Sequence, residues 1–339
     1  MKKTLLIYLS FILLTALVSC RQTNGSVPVT DVPAETICTI DGQLDRLNSI
    51  AVIDKEKFVL CTETQVYVYN SKGIRLYNVG NQGRAKYEYS MPLYVRTDGS
   101  KIYVWDAMMC KIITYSIDGR PIEEYSYDSS MNDFMPFNNN LLIYAGGRHD
   151  NHIIEIYDLS KKEVVSSFGD PTIAHQTLKW LSVCPMSTDE GKIYFMPKDK
   201  LTLMSFNPND ESTLTLENTI ESDSFVVRQL ETRLQGEERS KYLEENSFVV
   251  LLMNKRGNWY TLTSEGTYSN TTSDVDRKDR LINVYKLSKN GGKKLLAFPS
   301  KSFSYSNLLS VFDGNVYYIH HKIVDEEDVY SLNKLVIGN

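Results

Sequence analysis

Six times along the chain a short apolar strand, a tight turn and a strand of alternating aromatic and β-branched residues recur, and this repeat constrains the fold most. The clearest copy runs from Met91 to Arg96, turns at Thr97-Asp98-Gly99-Ser100 and returns from Lys101 to Asp106. Asp-Gly between apolar runs is a strong hairpin signal, because its left-handed backbone matches the twist of the flanking strands. The same hairpin lies over Ser49 to Cys61, Phe134 to Ala145, Leu181 to Met196, Phe248 to Thr263 and Leu308 to His320. A third strand and usually a fourth follow, as in Lys111 to Ser116 and Pro121 to Tyr127. Equivalent positions are 44 residues apart from Val59 to Tyr103 and 40 from Tyr103 to Ile143. Four antiparallel strands every forty-odd residues mark propeller blades, so the spacing predicts an all-β six-bladed propeller over residues 36–339.

The sixth copy runs short of an outer strand, since the chain ends soon after Val329 to Ile337, while Thr36 to Ile40 forms an unassigned strand at the other end. Pairing the two closes the ring and hides its sheet edges. Between blades four and five, residues 223–246 break the pattern. Val226, Val227, Leu230 and Leu234 fall at helical spacing there, which predicts a short amphipathic helix packed on its own propeller, with docking of a partner as the competing reading. The aromatic content supports β structure: 22 Tyr against 12 Phe and 3 Trp suits half-buried strands that keep a hydroxyl near water.

The first 19 residues belong to a different regime. Lys2 and Lys3 precede an apolar run from Leu5 to Val18, the length of a signal-peptide core and short for a membrane span. Leu17-Val18-Ser19-Cys20 resembles the lipobox of bacterial lipoproteins. That resemblance implies cleavage before Cys20, lipid on the new N-terminal cysteine, and a stable membrane anchor through several acyl chains. Residues 20–35, polar and carrying Gly25, Pro28 and Pro33, read as a tether. Arg21 to Ser26 contains no acid, unlike the surface-export signal of Bacteroidetes lipoproteins, which implies an outer-membrane protein facing the periplasm.

Loss of the leader removes two lysines and leaves 35 basic against 42 acidic residues, a net charge of −7. No stretch clusters Lys and Arg in the way a phosphate-tracking surface requires, which excludes nucleic acid as the partner. Cys38, Cys61, Cys110 and Cys184 are scattered, without zinc spacing, and read as buried apolar residues; any disulfide pairing among them is not legible.

The stretch Asn78-Val79-Gly80-Asn81-Gln82-Gly83-Arg84-Ala85-Lys86-Tyr87-Glu88-Tyr89 before Met91-Pro92 resembles the Gly-rich header of NHL-type and TolB-like six-bladed propellers. Ile102 to Asp106 with Ile112 to Gly119 is similar to their strand, acidic residue, strand and Asp-Gly turn. The chain is similar to the TolB-like propeller lipoproteins of Bacteroidetes, although Arg84 to Tyr89 stands where that family has Gly-Pro-Gly-Glu-Phe. The resemblance implies fold and compartment, and lends no shared activity.

In a propeller, second-to-third-strand loops and blade-to-blade connections open on one face, where ligands usually sit. Candidates on that face are Asp106, Arg148, His149, His152 and His321. Arg148, His149, Asp150 and His152 form the densest reactive cluster: the histidines with Asp150 have the atoms for a metal, and His149 those of a general base. A loop His-x-x-His lacks the fixed geometry of a helix, so ordinary loop residues are the expectation, and Asp106 is expected to staple a turn. Asp325 to Asp328 reads as a solvated charge run rather than a calcium loop. The chain has no Gly-x-Ser-x-Gly, no phosphate-cradling loop and no His-Glu-x-x-His, so no cofactor or resident metal is expected. The sequence therefore points to an envelope-anchored, non-catalytic propeller that binds a protein or glycan partner. Its rivals are a glycan-acting hydrolase or lyase using Arg148, His149 and nearby acids, and a structural subunit of an outer-membrane complex.

Overall fold

The computed structural model describes residues 27–149, 151–181, 183–209, 214–265, 280–288, 291–300, 303 and 308–337. The leader, Cys20 and Asp150 lie outside the described residues. Six four-stranded antiparallel sheets form the blades of a propeller. Blade one holds β2 (Leu47–Val52), β3 (Lys57–Thr62), β4 (Val66–Asn70) and β5 (Arg75–Asn78). Blade two holds β6 (Pro92–Thr97), β7 (Lys101–Asp106), β8 (Lys111–Ser116) and β9 (Pro121–Ser126). Blade three runs from β10 (Met131–Phe137) through β11 (Asn140–Ala145) and β12 (Ile154–Asp158) to β13 (Glu163–Phe168). Blade four comprises β14 (Met186–Asp189), β15 (Lys192–Phe195), β16 (Thr202–Phe206) and β17 (Thr215–Thr219). Blade five comprises β18 (Phe248–Lys255), β19 (Asn258–Glu265), β20 (Leu281–Ser288) and β21 (Gly291–Pro299).

Blade six is the composite that the sequence predicts. β22 (Leu309–Phe312), β23 (Asn315–Val324) and β24 (Glu327–Leu335) come from the C-terminal end, and β1 (Ala34–Thr39) supplies the outer strand. β1 pairs with β24 from Ala34 opposite Leu335 to Thr39 opposite Ser331, with Thr36 Oγ1 donating to Asn333 Oδ1 at 2.7 Å. Beyond the strand, the Asp41 amide donates to the Gly73 carbonyl of blade one. Gly73 sits at φ +81°, and a Cβ there would lie 1.9 Å from the Thr39 carbonyl oxygen, so only glycine fits this junction. Before β1, Val29 bridges Ala297 of β21, and the Thr30 amide donates to the Ala297 carbonyl. The N-terminal segment thus crosses from blade five to blade six before it enters the ladder.

Each sheet is buried on both faces, because neighbouring blades pack face to face, and the core divides accordingly into six clusters. Ala51, Val59 and Val68 of blade one meet Val95, Val104 and Ile113 of blade two. Trp105 and Ile112 of blade two meet Phe134 and Ile143 of blade three. Ile50, Phe58 and Leu60 of blade one meet Cys38, Ile319 and Leu332 of blade six, which completes the ring. Serine hydroxyls reinforce the seams: Ser49 accepts from the Val95 amide at 2.7 Å, and Ser310 from the Val52 amide at 3.0 Å. The four cysteines are unpaired, three of them buried, and burial pushes the Cys61 thiol up to about 12.

The insertion differs from expectation in its details. Residues 226–234 are irregular, and the helix, α2 (Gly236–Glu245), begins just after them; α1 (Ile173–Leu178) lies in the connection between blades three and four. The backbone of the 226–234 segment finds partners outside itself. Val226 exchanges hydrogen bonds with Ser247, and the Arg228 amide donates to Asn246 Oδ1. Val227, Leu230, Leu234 and Leu243 pack on the core shared by blades five and six, so the apolar face is spent on the propeller itself. No described helix is long and apolar enough to cross a membrane.

Deletion of residues 36–41 strips the closing strand and opens the cluster around Cys38 and Ile40. Losing several buried apolar side chains costs about 4 kcal/mol or more, which lowers the melting temperature by about 10 °C at ~2–4 °C per kcal/mol. An unchanged calorimetric melting temperature would refute closure by β1.

Candidate functional site

β2 begins opposite the end of β3, with Leu47 paired to Thr62, and blades two to five keep this register within a residue, whereas in blade six β23 runs six residues past Tyr318, the partner of Leu309 in β22. Asp106 ends β7 with no exposed surface. One carboxylate oxygen accepts from the Ser90 amide at 2.6 Å, and the other from the Met91, Met108 and Met109 amides at 3.0 to 3.2 Å. Asp106 is a turn staple, as expected, and has no capacity left for a ligand.

His149 ends a short 3-10 turn (Gly147–His149) after β11. Its Nε2 lies 3.0 Å from Asp128 Oδ1 and its Nδ1 3.0 Å from the Glu155 carboxylate, while the Tyr127 hydroxyl donates to Glu155 at 2.8 Å. The imidazole therefore bridges a buried and an exposed carboxylate. Arg148 is exposed, and its backbone amide donates to Ser129 Oγ. His152 is linked to His149 by one long backbone contact of 3.5 Å, and its Nδ1 is enclosed without a hydrogen-bond partner among the described residues. His321 lies across the ring on blade six, stacked on Tyr330 with Nε2 2.6 Å from Asp328 Oδ1. The candidate residues thus do not converge. Among the described residues no group of three or more His, Cys, Asp or Glu has the spacing to hold a metal.

The space at the ring's centre is a cavity of about 320 Å³ lined by the innermost strands of all six blades. Its lining is mainly apolar, with one buried ion pair, Arg96 to Asp133 at 2.6 Å. Asp133 also accepts from the Cys184 and Phe134 amides, so this carboxylate joins blades two, three and four. The cavity reaches the hairpin-turn end of the ring through Asp98 and Gly99, away from the loop face.

On the loop face the connection from blade three to blade four builds a second, cationic environment. Thr172 caps α1, its hydroxyl accepting from the His175 amide and donating to Asp199. His175 is fully enclosed, and its Nδ1 accepts from the Lys198 amide at 3.0 Å. Lys198 is also enclosed, its ammonium donating to the Val183 and Val249 carbonyls, and desolvation draws its pKa down to about 8. Lys179 reaches back to the Ala145 carbonyl with its Nζ 5.5 Å above the Trp180 ring. Beside these groups lies a cavity of about 240 Å³ lined by Gln176, Thr177, Lys179, Trp180, Arg233, Leu234 and Arg239. The described residues of its lining include three cations, an amide, a hydroxyl and a half-exposed indole, and no carboxylate; the Lys179 ammonium and the Thr177 hydroxyl are already donated to the Ala145 and Ile173 carbonyls. Trp180 rests on the loop of blade three, where a Cβ on Gly146 would touch the ring at 3.4 Å. Neither cavity is lined by His149, Asp128 or Glu155.

Sequence reasoning passed over this second cavity. Its one legible signal was Trp180, one of three tryptophans, standing in a connection rather than a strand. Arg233 and Arg239 are more than fifty positions away and give no local pattern.

Comparison with known proteins agrees with the architecture. A family described as 6-bladed beta-propeller, DUF5128, matches residues 38–198, just under half of the chain. A solved Bacteroides fragilis protein described as exported superposes with TM-score 0.66 at 12% identity, covering 93% of this chain and 98% of that one. A member of the DUF4221 family from Bacteroides vulgatus superposes with TM-score 0.60 at 12% identity, covering 91% and 99%. No curated protein matches the sequence.

Burial, with Lys179, Lys198 and Lys200 nearby, holds His175 well below its usual 6.5. The folded protein therefore keeps His175 neutral, whereas the unfolded chain takes up that proton near pH 6.5. Stability from this group is complete above that pH and falls on acidification. His175→Asn, which can still accept the Lys198 amide, should flatten the decline between pH 6.5 and 5.5 by about 1 kcal/mol, or ~3 °C in melting temperature. Equal slopes for the two proteins would contradict the assignment.

Proposed function

We propose that this chain is an exported, lipid-anchored propeller that binds a partner at the cell envelope and does no chemistry on it. One observation carries the reading. Two of the candidate reactive side chains on the loop face are bound up in structural contacts, Asp106 with four amides and His149 between two carboxylates, and neither lines the indole-and-cation cavity. General acid–base chemistry needs a titrating group within hydrogen-bond reach of a bound substrate. Here the open cavity and the histidine are separate.

Export and anchoring rest on the leader and on Leu17-Val18-Ser19-Cys20, in keeping with a solved relative in fold described as exported. Because Val29 is already attached to blade five, the stretch from Cys20 spans at most about 30 Å fully extended. Such a tether holds the propeller against the periplasmic face of the outer membrane, where its partner must lie within a molecular diameter of the lipid.

A second reading, a glycan-acting hydrolase or lyase, draws on the Asp128–His149–Glu155 array, in which Asp128 faces solvent. The two readings separate in one assay. The membrane-extracted protein should carry acyl groups on Cys20 by mass spectrometry and retain bound saccharides or envelope proteins without releasing cleaved product. Unmodified Cys20 removes the anchor, and product formation that is lost in His149→Ala replaces the binding reading with the enzymatic one.

A further inference from the structure

We infer that the cavity formed by Lys179, Trp180, Arg233 and Arg239 takes an acidic sugar residue of a glycan, with the pyranose ring against the Trp180 indole and its carboxylate or sulfate at the Arg239 guanidinium. This rests on the binding reading above and gives it a site and a ligand class.

Charge sets the first half of the argument. The whole chain carries a net charge of −5, yet the described residues that line this cavity include three cations and no acid. Such a concentration of one sign in a concave site favours an anion, and planar guanidinium forks match carboxylate and sulfate oxygens. Lys179 is held rigid, nearly wholly buried with its ammonium on the Ala145 carbonyl, so its charge is fixed in place before any ligand arrives. The field extends inward, since the same lysine helps to keep His175 neutral.

Shape sets the second half. Trp180 keeps 45% of its surface exposed, although an indole is among the costliest side chains to leave in water. A flat apolar face beside polar donors suits a pyranose, which offers a C–H face on one side and hydroxyls at its rim. Gln176 and Thr177 also line it, the Thr177 hydroxyl donating to the Ile173 carbonyl and keeping only its acceptor side. At about 240 Å³ the cavity is below the ~300–1,000 Å³ of drug-sized sites, which fits a single ring. An acidic peptide suits it less well. Arginine clusters also read acidic motifs in peptides, but the single-ring volume and the exposed indole beside the cations favour a sugar, and hexaglutamate tests the alternative.

The test titrates the full chain with trigalacturonate, a sulfated chondroitin disaccharide, maltotriose and hexaglutamate, following tryptophan fluorescence and heat. One or both acidic saccharides should bind with a change in indole emission; binding of the chondroitin disaccharide, which carries a uronate beside its sulfate, without binding of trigalacturonate assigns the sulfate. Arg239→Gln should weaken that binding at least tenfold with an unchanged melting temperature, and Trp180→Ala should abolish it. Raising NaCl from 50 to 500 mM should weaken it several-fold. Equal binding of maltotriose, tighter binding of hexaglutamate, or acidic-sugar binding that survives both substitutions overturns the assignment. Binding of a neutral glycan or an envelope protein by both wild type and Trp180→Ala would overturn this site while leaving the binding reading intact. Cleavage of a bound acidic saccharide would do the opposite.

Discussion

Closure of the ring by β1 is the contact on which the rest of this structure depends. A propeller blade cannot bury its own faces; each of the six core clusters is shared by two neighbours, so no blade is complete until the next is in place. In an open arc the first and last blades would each present one apolar face and a bare edge. Here the edge of β24 is covered by a strand from the opposite end of the chain, and Gly73 admits the exit of that strand against blade one. The seam joins residues some three hundred positions apart, which makes it the contact of highest loop-closure cost in the fold.

Inside the ring a second constraint acts. Arg96 and Asp133 form a buried ion pair whose carboxylate also holds the Cys184 amide, tying three consecutive blades around one charge. A buried pair of this kind adds little net stability, but removing one partner strands the other. Its structural effect is to fix the approach of blade four to blade three, and the connection that spans those blades carries Lys179 and Trp180. The loop-face cavity thus inherits its geometry from the ring, with one wall built on that connection and the other supplied by the insertion before blade five.

Much of this was legible because propeller strands speak locally. Each hairpin combines an alternating run with a turn, and all six were readable from residues at most a few positions apart, as was the spare strand at 36–40. The helix in the insertion falls within residues 223–246 as expected, but not on the residues whose spacing suggested it, for a physical reason. Val226, Val227, Leu230 and Leu234 have helical spacing, but their segment is held by Ser247 and Asn246, and those backbone bonds outcompete a helical ladder. The charged stretch from Gly236, weak in apolar signal apart from Tyr242 and Leu243, is the part that coils. Asp106 was read correctly as structural, since a carboxylate at a strand end beside free amides has an obvious local use. The cationic cavity escaped because its walls come from residues 176–180 and 233–239, joined only by tertiary packing.

The N-terminal segment leaves the propeller at its circumference, after bridging blade five and completing blade six. Considered mechanically, this makes the seam of the ring the point where any load from a membrane attachment enters. Any pull on this segment is met first by the Thr30–Ala297 hydrogen bond and then by the β1–β24 ladder. Force applied there would load the disc at its rim, through the same strand that keeps it closed.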